Sequence, residues 1–286
     1  MKRAPAGISL MEVLISIFVI SFGLLGLAAL LPVGRFALLE TAKADRSGAC
    51  GRAAMREVKI RQLLDPDNWS NKDVLSSGRP FVIGPSDLDW SGLAWEDKLE
   101  ITGLPGNLSD VFMWQDDLIF NVPEDPTLRP TALSNNPRDD YQGHYSWFMT
   151  VAPAPGEAVL HNDEKFLYQV SIVVCFQRSG DVVAQAVTDF HGAGYGGGGI
   201  RLEQPVPIKQ NQWIMLHGKK QSGEEYCQWY RVAAAGESPT DLLSLVGPDW
   251  DPAIPTTAVI VDGAVAVFTT TVELDRHSIW ARGTDN

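Results

Sequence analysis

Residues Ile8–Leu31 form a 24-residue stretch in which only Ser9, Glu12, Ser16 and Ser21 are polar. As a helix rising about 1.5 Å per residue it extends about 36 Å, enough to cross a ~30 Å hydrocarbon core. Its Ile, Leu, Val, Phe and Ala residues show no two-residue alternation, which excludes a half-buried strand. Lys2 and Arg3 precede it, a bias that keeps the amino terminus in the cytoplasm and sends the remainder outward. The reading is a single pass with the amino terminus inside.

Two ordinary explanations fail. A secretory signal peptide has an apolar core of roughly 7–15 residues followed by small residues. Here Ala4-Pro5-Ala6-Gly7 stand before the apolar run. A plain anchor has no use for Glu12, because a carboxylate one turn into an apolar helix costs about 2–3 kcal/mol unless it is partnered. Cutting the chain between Gly7 and Ile8 supplies a partner, the new α-ammonium of Ile8, four residues before Glu12. Positions i and i+4 share a helix face about 6 Å apart. The amine of the same subunit or of a neighbour can then compensate the carboxylate, and pairing with a neighbour makes Glu12 an assembly determinant.

The segment Gly7-Ile8-Ser9-Leu10-Met11-Glu12-Val13-Leu14 resembles the prepilin (class III) signal of type IV pilins and type II secretion pseudopilins. The continuation Ser21-Phe22-Gly23-Leu24-Leu25-Gly26-Leu27-Ala28-Ala29-Leu30 is similar to PilV-like minor pilins. The resemblance covers about residues 1–40 and fades beyond Arg61. It implies processing at Gly7 by a prepilin peptidase and N-methylation of Ile8, where phenylalanine is usual in the family. It assigns Glu12 to assembly. The implied partners are other pilins or pseudopilins and the inner-membrane assembly platform, and the implied destination is a pilus or pseudopilus.

Pro32 is expected to end or kink the apolar helix, since it lacks an amide proton and crowds the preceding turn. Residues 35–64 read as a second helical length. Its apolar stripe is Phe36, Leu39, Cys50, Ala53, Ala54, Val58, Ile60 and Leu64, with Glu57 and Arg61 at the supportive i,i+4 spacing. Gly48 and Gly51 weaken the pattern, and Asp65-Pro66-Asp67-Asn68 is a stop.

Beyond residue 66 the pattern changes to strands: short β-branched and aromatic runs between Gly, Pro, Asn and Asp clusters. They are Val111–Val122, Tyr145–Val151, Phe166–Phe176, Val182–Phe190, Trp213–Leu216, Cys227–Val232, Ala258–Val261 and Ala264–Leu274. Gln177–Asp181 and Asp262-Gly263 read as hairpin turns. The glycine-rich stretch 192–199 is not followed by a helix, so it is no phosphate-cradling loop and reads as a flexible linker. The expected fold class is α+β. A leader (1–7) and transmembrane helix (8–31) are followed by a helix continuation (32–65). Then come an antiparallel β-sheet head (66–191), pilin-like by the resemblance, the linker (192–199) and a C-terminal all-β region (200–286).

Function is bounded by what the chain lacks. Its formal charge of −12 opposes general nucleic-acid binding. Asp87–Gly92 imitates half a calcium loop but places Lys98 where a bidentate glutamate is needed, so it reads as a solvated turn. The five histidines show no metal-ligand spacing and read as surface or turn residues. No G-x-S-x-G is present, and no catalytic residue, cofactor or metal site is expected. Nine tryptophans, none before Trp69, read mostly as sheet core, with some available for an adhesive surface. Three cysteines permit one bond, best between Cys175 and Cys227, or three buried thiols. Two readings of function remain: a minor pilin or minor pseudopilin, or a membrane-tethered extracytoplasmic binding module or adhesin whose C-terminal β region carries the function.

Overall fold

The computed structural model describes residues 10–65, 79–84, 145–154, 165–176, 182–194, 197–220, 225–237 and 239–275. Gly7, Ile8, the Asp87–Lys98 segment, the expected strand Val111–Val122 and the expected turn Gln177–Asp181 lie outside them.

One helix, α1 (Leu10–Ile60), opens the described chain and contains Pro32. The helix therefore does not end at Pro32. The proline forfeits one amide donor, but an apolar stretch offers the other backbone groups no better partner than the helix. Every residue from 10 to 42 is exposed. Phe36 and Leu39, expected in the apolar stripe, belong to that exposed set, and Ile60 is 75% exposed. The buried face further along is made of small residues: Ser47, Cys50, Gly51, Ala54 and Val58. Their spacing of i, i+3, i+4, i+7 and i+11 keeps them on one side.

The helix stops five residues before the expected Asp65-Pro66 signal, by a backbone device. Gln62 adopts φ 52°. The amide of Leu63 donates to the Val58 carbonyl at 3.0 Å and that of Gln62 to Lys59 at 3.3 Å, the paired bonds of a Schellman cap. Leu63 and Val58 then pack in the same core.

Among the described residues ten strands follow: β1 (Phe81–Ile83), β2 (Tyr145–Pro153), β3 (Lys165–Phe176), β4 (Val182–Gly194), β5 (Gly197–Val206), β6 (Trp213–Lys219), β7 (Glu225–Ala235), β8 (Thr240–Val246), β9 (Thr256–Val261) and β10 (Ala264–Asp275). They make a four-stranded sheet of order β1-β2-β3-β10 and a closed six-stranded barrel of order β4-β5-β8-β7-β6-β9. All pairings are antiparallel. The fold is thus α+β, a long apolar N-terminal helix followed by antiparallel β-structure.

Alternation along the sheet strands explains the layering. Trp147, Met149 and Val151 of β2, with Tyr168, Val170, Ile172 and Val174 of β3, face Cys50, Ala54 and Val58. The intervening residues Phe148, Ala152, Val173 and Cys175 face the barrel, meeting Met215, Cys227, Trp229 and Val259. A buried bond from Trp229 Nε1 to Thr150 Oγ1 (2.9 Å) crosses this second layer. Inside the barrel the opposite parity prevails: Ile214, Leu216, Tyr230, Val232, Leu243, Leu245, Ala258 and Ile260 share its core.

Two expected hairpins do not form. β3 pairs with β2 and β10, while β4 pairs with β5 and β9. The Asp262-Gly263 turn carries the chain from barrel strand β9 to sheet strand β10, with Gly263 at φ 75° and its carbonyl accepting the Phe176 amide at 2.8 Å. The barrel is therefore inserted between neighbouring strands β3 and β10. Of the expected linker 192–199, the described residues 192–194 end β4 and 197–199 begin β5, and Gly194 pairs with Gly197. Its glycines allow close approach: a Cβ on Gly199 would lie 3.2 Å from that of His191. Hence the all-β unit begins at β4 rather than residue 200, and β10 belongs to the sheet. The three cysteines are buried thiols, and Cys175 and Cys227 are not joined.

Candidate functional site

Of the residues singled out from sequence, Glu12 is described and lies in the first turn of α1. Negative charge there is favoured by the helix dipole. Its carbonyl accepts a bond from Ser16 Oγ at 2.8 Å, so the serine hydroxyl is satisfied within the helix. Around it the surface is apolar on all sides: Leu10, Met11, Leu14, Ile15 and Phe18 are each more than half exposed. Phe18 and Phe22 meet in a tilted contact with ring centroids 4.6 Å apart, an i,i+4 pair that stiffens this face. The helix is long and apolar enough to cross a membrane. Among the described residues no ion pair involves the Glu12 carboxylate. Gly7 and Ile8 lie outside the described residues, so the two ends of the expected charge pair are not seen together.

The head holds a second carboxylate in an unusual setting, which sequence reading missed. Glu225, at the start of β7, is 7% exposed. His217 Nε2 lies 3.5 Å from it, Lys219 Nζ donates at 2.9 Å, and Arg79 Nε approaches to 3.8 Å. His217, expected at the surface or in a turn, is instead 8% exposed on β6. The cause is register: Lys219 lies opposite Glu225 and His217 opposite Cys227. His217 above all, with Lys219, holds the Glu225 carboxyl at about 2 although burial opposes this. Burial, with the Glu225 charge adding to it, pushes the neighbouring Cys227 thiol up. A signal was present, since Lys219-Lys220 and Glu224-Glu225 stand as opposite charges on either side of Gln221-Ser222-Gly223 in the sequence.

This cluster has the makings of a structural ion pair. Lys219 and Arg79 are half exposed while the carboxylate is enclosed. No grouping of three or more His, Cys, Asp or Glu side chains suited to a metal occurs among the described residues. Trp147 and Trp229 are buried in the two core layers. Comparison of the chain with protein-family models, curated proteins and solved structures finds no match.

Proposed function

We propose that this chain is a structural subunit, a minor pilin or minor pseudopilin, cleaved between Gly7 and Ile8 and assembled through α1 into a type IV pilus or a type II secretion pseudopilus. One observation carries the reading: the exposed apolar surface of α1 outruns a membrane and has a carboxylate near its start. Large apolar side chains are exposed from Leu10 to Leu39. Those 30 residues amount to about 45 Å of helix against a ~30 Å hydrocarbon core. About ten further residues, mostly apolar but with Arg35 among them, are left for a protein neighbour to cover, and Glu12 then has a neighbour's ammonium to meet. In this reading the prepilin peptidase, other pilins or pseudopilins and the inner-membrane assembly platform are the partners. The protein waits in the inner membrane with its amino terminus in the cytoplasm and its head outside. The head has no catalytic role.

The insertion of the barrel between β3 and β10 favours a second role carried on the same subunit, that of an extracytoplasmic binding module or adhesin. The two roles separate by excision. Removing residues 200–286 would take β10 out of the sheet, so the informative deletion replaces residues 177–263 with a short turn joining Phe176 to Ala264. Mass spectrometry of the amino-terminal peptide from cells with a prepilin peptidase tests the leading reading. We expect a mature chain starting at methylated Ile8. A mature chain starting at Met1, or one cut after Leu30, overturns it.

A further inference from the structure

From Leu10 to Leu39 the helix α1 carries two charged side chains, Glu12 and Arg35. Both are exposed, and among the described residues no ion pair includes either. Arg35 stands among Leu31, Val33, Phe36 and Leu39, each at least 65% exposed, so its surroundings are as apolar as those of Glu12. Its own helix offers it no acid: the next one, Glu40, follows at i+5, off the face that i+3 and i+4 share.

The helix runs unbroken through Pro32. The 23 residues from Glu12 to Arg35 therefore amount to about 35 Å along its axis and roughly 140° around it. In a bilayer that length puts the two charges at opposite faces of the ~30 Å hydrocarbon core, each within reach of water. Out of lipid and packed against protein, the same charges lose that water, and a charge buried without a partner is strongly destabilising. The ammonium of Ile8 answers Glu12 in the assembly reading, but it leaves Arg35 unanswered.

Two parallel copies of α1 displaced by that same distance bring Glu12 of one beside Arg35 of the other. Residues 10–16 of the first then lie along residues 33–39 of the second, segments that are apolar but for the two charges and Ser16. Guanidinium and carboxylate make the strongest of the charged hydrogen-bonded pairs. A carboxylate accepts at both oxygens, so the ammonium of Ile8 keeps its place. Because the two charges lie on different sides of the helix, each copy offers Glu12 to one neighbour and Arg35 to another. Such a head-to-tail contact with a translation along the axis cannot close, and it repeats as an open filament.

We propose that Glu12 of one copy of this chain pairs with Arg35 of a second copy displaced by about 35 Å, and that this pair sets the stagger of neighbouring α1 helices. The inference rests on the assembly reading and adds to it the neighbour's identity and register. The test uses the full chain in cells that make the filaments, with sheared fractions compared with wild type. Glu12→Arg and Arg35→Glu are expressed singly and then together under different tags. Each alone should fall about tenfold or more in the sheared fraction. Together they should recover to within about twofold of wild type, because each variant supplies the charge that the other lacks. A second measurement keeps both charges. On oxidation, Ser16→Cys in one copy should link to Leu39→Cys in another, and far less to Leu31→Cys, which lies about 12 Å out of register. With wild type present in the sheared fraction, three results overturn the pair and leave the assembly reading standing: single variants incorporated like wild type, no recovery when two cleaved variants are combined, or equal links to Leu31→Cys and Leu39→Cys. If either charge variant is not cleaved, the cysteine links decide. Wild type absent from the sheared fraction overturns the assembly reading, and the pair with it.

Discussion

The helix α1 has one backbone and two surfaces. From Leu10 to Leu39 its large side chains are exposed on every side, whereas from Ser47 to Val58 it buries a narrow stripe of small ones. The first surface asks for a solvent other than water, and the second asks for one close neighbour, the β1-β2-β3-β10 sheet. Each region also teaches how a glutamate is accommodated. Glu225 in the head has His217, Lys219 and Arg79 around it within its own chain. For Glu12 no ion pair is found among the described residues, and its proposed partner is the amine of another subunit. A helix that buries itself on its own sheet can be completed by one chain, but an apolar surface exposed on all sides cannot.

The largest expected effect breaks the comparison at Glu12. Glu12→Gln keeps shape and hydrogen bonding but removes the charge that a neighbour's ammonium would meet in low dielectric. Membrane insertion and cleavage should persist, while the variant disappears from sheared filaments. Incorporation equal to wild type, measured in the same cells, would show that the carboxylate has no role in assembly.

Glu225 offers the matching test within the head. Its folded pKa is depressed to about 2, so it contributes stability above its unfolded value of about 4.5, and that contribution is lost as pH falls toward 2. Melting curves of the full chain in detergent between pH 7 and pH 2 should therefore steepen their decline below about pH 4.5. Glu225→Gln should flatten that decline while costing about 2 kcal/mol at pH 7, because Lys219 loses its counter-charge and His217 its carboxylate neighbour. An identical pH profile in the variant would show that the cluster contributes no linkage.

The smallest effects sharpen the contrast along α1. A Cβ at Gly51 would lie 2.1 Å from the Phe268 ring, whereas at Gly48 it would meet only the end of Arg52 at 3.5 Å. Gly51→Ala should therefore destabilise by about 1–2 kcal/mol despite better helix propensity, and Gly48→Ala should stabilise by about 0.5–1 kcal/mol. Thermal melts of the two single variants check the opposite signs. Equal responses would mean that the helix does not approach the sheet as closely as the Phe268 contact requires.

Much of this organisation was legible in the chain. The apolar run marked α1, and β-branched and aromatic runs between turn-residue clusters marked β2, β3, β4, β6, β7, β9 and β10, because both patterns are local. β8 was missed although Leu243 and Leu245 alternate with outward Leu242 and Ser244. β5 was missed because Gly197–Gly199 and Pro205 carry breaker signals; the glycines pair regularly with β8, and Pro205 falls in the register shift between Arg201 and Val206. Turn residues at Asp262-Gly263 showed that the chain changes direction, but nothing local says that it changes sheets. The same limit hid the Glu225 cluster, whose members meet only through the register of β6 and β7. The assignments of Gly7, Ile8 and Glu12 rest on their spacing along one short segment and belong to the proposal.

The place of the barrel within the sheet has a consequence for the order in which the head can form. β10 reaches β3 only after residues 177–263 have been made, and closing a flexible loop of that length costs about 4 kcal/mol of chain entropy. The barrel absorbs this cost as it folds. Val182, the first residue of β4, is the register partner of Val261, the last of β9, so a folded barrel holds the two chain ends one strand apart. Phe176 and Ala264 are thereby presented to each other before they pair. Folding should accordingly run from the inserted unit outward, with the sheet that receives the small-residue face of α1 completed last.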